Sequence, residues 1–104
     1  MRNYAPQNIL VRAFNEWHAD NPHVYAFYKY FTFQAIKSGR PHYSSDAICH
    51  RIRWHTEIET TGEDWKMNNN YAAFYARKFM ADYPQHKGFF RTRKSVADPK
   101  GDEE

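Results

Sequence analysis

Ile9, Leu10, Ala13, Phe14 and Trp17 recur at spacings of three and four residues, which predicts an amphipathic helix over roughly Gln7 to His18. Asp20-Asn21-Pro22 interrupts it. Asn21 suits an N-cap, and Pro22 suits the first helical position, where a missing N–H costs nothing. A second stripe follows in Val24, Phe27, Tyr28, Phe31, Ala35 and Ile36. It stops at Gly39, which can turn left-handed, with Pro41 just beyond. Ser44 reads as the N-cap of a third helix with Asp46 in its first turn. Ala47, Ile48, Ile52, His55 and Ile58 face inward along it until Thr60-Thr61-Gly62 breaks the pattern. The triplet Asn68-Asn69-Asn70 opens a fourth helix that ends at Asp82, before Tyr83-Pro84.

Two segments break the helical period. His42-Tyr43 is short and extended, and Gly88-Phe89-Phe90-Arg91-Thr92-Arg93 alternates rings with cations, so the latter reads as a strand that pairs with His42-Tyr43 or with Trp65-Lys66-Met67. The expected fold class is therefore mainly α with a small β element (α+β). Three to four helices precede a short strand or hairpin near the C-terminus, in the order of a winged helix-turn-helix. Residues 1–96 form one compact domain and residues 97–104 a disordered acidic tail.

Composition sharpens this picture. The chain has 104 residues, enough for one core and too few for two. Aromatic residues make up 18%, so the core is built largely of rings, and some rings are left over for stacking or docking at the surface. The net charge of +3 hides an asymmetry: 14 basic face 8 acidic side chains before Asp98, and the acids concentrate after it. A basic body attracts polyanions. Cys49 is the only cysteine, and no apolar run is long enough to span a membrane, so the expectation is a cytoplasmic protein without disulfides and without a membrane partner.

On the fourth helix, Tyr71, Ala72, Tyr75, Ala76, Phe79 and Met80 share one half, while Asn70, Ala73, Phe74, Arg77 and Lys78 share the other. The second half suits a DNA-reading helix: Asn bonds adenine edges, Arg bonds guanine edges, and a small Ala lets the helix lie deep in the groove. Asn69, Asn70, Ala73, Arg77 and Lys78 are thus the candidate contacts. Arg91, Arg93 and Lys94 lie along phosphates as a wing, and Arg51 and Arg53 are further backbone contacts. Double-stranded DNA is the expected partner, and a homodimer is a further expectation, since DNA-binding domains this small commonly pair. The competing reading is an interaction protein that grips another protein through exposed rings, with Trp54, Trp65 and Phe74 as candidates.

No catalytic or metal motif stands out. CxxC, HExxH, GxSxG and Gly-rich phosphate loops are absent, and Cys49-His50 reads as a buried thiol beside a surface imidazole. His55 with Glu59 supplies only two ligands. Glu57, Glu59, Glu63 and Asp64 around Gly62 read as a solvated acidic turn, a metal-dependent nuclease being the remaining enzymatic alternative. The expectation is a protein that is not an enzyme and carries neither cofactor nor metal.

Several blocks carry a resemblance: Asn21-Pro22-His23-Val24-Tyr25, Tyr43-Ser44, Arg53-Trp54-His55, Lys66 to Tyr71, Tyr75-Ala76-Arg77 and Gly88 to Arg93. Over about Phe14 to Lys94 the chain resembles a family of small, uncharacterised proteins encoded by bacteriophages and prophages. The resemblance implies a phage origin and a winged-helix-like pattern, and it transfers no catalytic residues. It also implies two functional classes: a DNA-binding regulator, or an anti-defence inhibitor, for example an anti-CRISPR, that binds a host or phage protein complex.

Overall fold

Asn21 and Pro22 divide the first forty residues into two helices, α1 (Ala5–Asp20) and α2 (Pro22–Lys37). The computed structural model describes residues 5–60, 62 and 65–91, with side chains from residue 9 onward. At the division Asn21 folds back, its amide Nδ2 donating to the Trp17 carbonyl at 2.9 Å. Ser38 and Gly39 then end α2, with Gly39 at φ 95°. The third helix, α3 (Ser45–Trp54), starts as its cap residue dictates: the Ser44 hydroxyl accepts the Ala47 N–H at 3.1 Å. A π-helical turn, His55–Glu59, continues it, and α4 (Tyr71–Asp82) follows after the loop. A 3₁₀ turn, Pro84–His86, leads into Lys87 to Arg91.

The buried side chains form one cluster that all four helices share. Tyr75 of α4 lies at its centre and is fully buried; its ring stacks with Tyr25 and Tyr28 and meets Phe14 edge-on. Polar tips tie the rings in place. The Trp17 indole N–H donates to the Tyr75 hydroxyl at 2.9 Å, and the Tyr25 hydroxyl donates to Asp82 at 2.7 Å. Burial pushes the Tyr75 hydroxyl up to about 12, so it stays protonated.

The expected winged helix-turn-helix is not what forms. Among the described residues there is no strand and no sheet; the small β element reduces to an isolated parallel bridge between Tyr43 and Phe90. The reason lies in the rings. A strand sends neighbouring side chains to opposite faces, but Phe89 and Phe90 are both buried, because the 3₁₀ turn and Gly88 at φ 90° fold this segment back onto the core. Phe90 packs on Tyr28 and Phe79, and the Phe89 carbonyl accepts the Tyr43 N–H at 3.1 Å. The segment is a plug, not a wing. Arg93, Lys94 and the acidic tail lie outside the described residues.

Candidate interaction surface

The face of α3 turned away from the core carries Asp46, His50, Arg53 and Trp54, and the π turn adds Glu57 and Ile58. Two large apolar side chains stand out on it, Trp54 at 55% and Ile58 at 61% exposure. The sequence pattern places Ile58 inward; the structure corrects this. Ile58 follows Trp54 by four residues, a spacing that sets the two side chains on one side of the helix, and both are exposed there.

Ion pairs brace this turn. Arg53 reaches Glu57 at 3.4 Å, and Glu59 receives both Arg51 and the His55 imidazole at 3.1 Å. The backbone N–H of Trp65 donates to Glu57 Oε2 at 2.9 Å, which ties the segment before α4 to the turn. That bond, reinforced by Arg53, holds the Glu57 carboxyl below its ordinary pKa; His55 and then Arg51 do the same for Glu59.

Two adjoining grooves, which share His50 and Arg53, lie on this face. One, of about 360 Å³, runs between α3 and the segment before α4, with Asp46, His50 and Arg53 on one side and Trp65, Lys66 and Asn69 on the other. The second, of about 330 Å³, is formed by His50, Arg53, Trp54, Glu57 and Ile58. Arg53, Trp54, Trp65 and Asn69 thus come together although they were named for different roles. His50, Lys66, Asp46 and Ile58 were missed. A helical wheel of residues 44–58 shows Asp46 and His50 as polar neighbours of Arg53 and Ile58 beside Trp54, whereas Lys66 belongs to the facing loop and has no such signal.

The other candidates lie elsewhere. Asn68 does the capping work of the triplet: its side chain accepts the Asn70 N–H and its carbonyl accepts the Tyr71 N–H, both at 2.9 Å. Asn70 is exposed at the cap position, whereas Ala73 and Arg77 are half-buried on α4. Phe74 is buried under Phe14, stacked at 4.9 Å, so it is no exposed ring. Six of the twelve residues of α4 are buried and only Ala81 and Asp82 are exposed; Phe14 of α1 covers Phe74 on the half that the sequence pattern left for solvent. Lys78 pairs with Asp82 at 3.4 Å and lies 5.0 Å over the Tyr25 ring. Arg51 also stacks on Phe31, and exposed Arg91 donates to the His42 Nε2 at 2.6 Å.

Cys49 borders the larger groove but is buried, and burial pushes its thiol up to about 12, the reverse of what a nucleophile needs. Among the described residues no three His, Cys, Asp or Glu side chains converge as metal ligands; Glu63 and Asp64 lie outside them. No helix among them is long and apolar enough to cross a membrane. No family model, curated protein or solved structure matches the chain.

Proposed function

We propose that this chain is a non-catalytic binding protein that presents the outer face of α3 and its π turn to another protein. The observation that carries this reading is the exposed Trp54–Ile58 pair, which lines one groove beside a second on a braced helix. The charge around the pair selects the class of partner. Asp46 and Glu57 balance Arg53 and Lys66, so the face has little net charge to draw a polyanion. An apolar centre with a mixed polar rim is the anatomy of a protein interface, and a tryptophan is its commonest anchor. The duplex-DNA reading rests on α4 as a groove-reading helix, and the burial of that helix leaves it little support. The resemblance to phage-encoded proteins adds the expectation of a host or phage complex as the partner, as an anti-defence inhibitor would need.

The test is capture from a nuclease-treated host lysate by the wild type and by the double variant Trp54→Ala/Ile58→Ser. A stoichiometric protein that the wild type retains and the variant loses supports the reading. Capture that disappears on nuclease treatment, or that the variant shows equally, contradicts it.

A further inference from the structure

Arg51 and Arg53 lie about 200° apart around α3, so they serve different surfaces. Arg51 faces a third groove, of about 270 Å³, between the C-terminal half of α2, the turn after it and α3. Phe31, Gln34, Ser38, Arg40, Tyr43 and Arg51 line it together with aliphatic residues, and no carboxylate does. Its two arginines are held in the same way. The Arg51 guanidinium lies 4.5 Å over the Phe31 ring, and that of Arg40 lies 5.5 Å over the Tyr43 ring. A guanidinium laid on a ring keeps its N–H edge free, and that edge matches a phosphate with two parallel hydrogen bonds. Arg51 gives Nη1 to Glu59 and retains other donors, while Arg40 meets no carboxylate at ion-pair distance among the described residues. Tyr43 keeps 37% of its surface open, a large value for an aromatic side chain already under a cation.

We infer that this groove binds one nucleotide, its phosphate between Arg40 and Arg51 and its base stacked on the Tyr43–Arg40 layer. Stacking and phosphate pairing are the two interactions that recognise a nucleotide independently of its sequence. The volume argues for a single unit, since it falls just below the roughly 300–1,000 Å³ of drug-sized ligand sites. The nucleotide comes either free or as one unstacked residue of a single strand; the chemistry at the groove is the same.

Amide NMR titrations with adenosine 5′-monophosphate, adenosine, inorganic phosphate and hexadeoxyadenylate test this. The monophosphate should shift amides of residues 34–51 around the groove, with adenosine and phosphate each at least about tenfold weaker, as expected for losing one of two interactions. Arg40→Glu, an exposed change, should weaken monophosphate binding by about tenfold or more with unchanged circular dichroism. A hexamer that binds more tightly and loses affinity with salt assigns the site to single strands; equal affinities assign it to the free nucleotide. Shifts that map elsewhere, phosphate binding as well as the monophosphate, no binding of either nucleotide source, or an unaffected Arg40→Glu variant would overturn the inference. The Trp54→Ala/Ile58→Ser variant should bind the monophosphate normally, which separates this site from the α3 face.

Discussion

Replacing Ser45 with alanine should cost more stability than removing the hydroxyl that it receives. The Ser45 Oγ donates to the Ala72 carbonyl at 2.7 Å, and because serine has one proton, the Tyr28 hydroxyl 2.6 Å away must be the donor to Ser45. This relay joins α2, α3 and α4 at the start of α3 and so sets how the outer face is presented. Tyr28 is fully buried. Ser45→Ala therefore strands a buried O–H, a penalty of about 2 kcal/mol, whereas Tyr28→Phe removes the donor and leaves Ser45 bonded to Ala72, a loss of about 1 kcal/mol. For a domain of this size these correspond to falls in Tm of roughly 10 °C and 5 °C. The double variant has no orphaned hydroxyl and should cost about 1 kcal/mol less than the sum of the two singles. Thermal and urea denaturation followed by circular dichroism measure all four proteins. Additive losses, or a Ser45→Ala variant no less stable than Tyr28→Phe, would refute the relay.

Two further outcomes follow from the core. His18 stacks on Phe14 at 6.0 Å with its Nδ1 buried and unpartnered, and burial, aided by Lys78 and opposed by Asp82, lowers its pKa from 6.5. A base whose folded pKa lies below its unfolded value binds more protons when unfolded, so its stabilising contribution is complete above pH 6.5 and declines as pH falls towards the folded pKa. The stability advantage of wild type over His18→Gln should therefore shrink between pH 8 and pH 5; parallel melting-temperature profiles would exclude this role. Phe90→Ala should cost about 3–5 kcal/mol, because the ring is 2% exposed and plugs the core. A melting temperature close to that of wild type would instead return the segment to a free-standing wing.

The four helices were legible because their ends carry local chemistry. Pro22 at a first turn, the Ser44 cap, the Gly39 stop and Pro84 after α4 each act within a few residues, and each lies where the structure uses it. What failed depended on distant contacts. Gly88 to Arg91 has strand-like composition, but Phe90 packs on Tyr28 and Phe79 and Phe89 is buried beside it, which removes the alternation. Phe74 occupies the outer half of a helical wheel, yet Phe14 from α1 covers it. The candidate surface was legible in part. Trp54 reads as an exposed ring and Ile58 follows it at helical spacing, but the loop that brings Lys66 and Asn69 opposite His50 has no local signature.

Trp54 and Ile58 are surface residues, so their loss should leave the fold intact and remove only the partner. The most direct measurement is therefore the affinity of purified wild type and of Trp54→Ala/Ile58→Ser for the captured partner, with melting temperatures taken on the same preparations. The account predicts affinity weaker by about 30-fold or more, the loss of an interface anchor worth about 2 kcal/mol, with the melting temperature unchanged. Equal affinity at equal stability would contradict it.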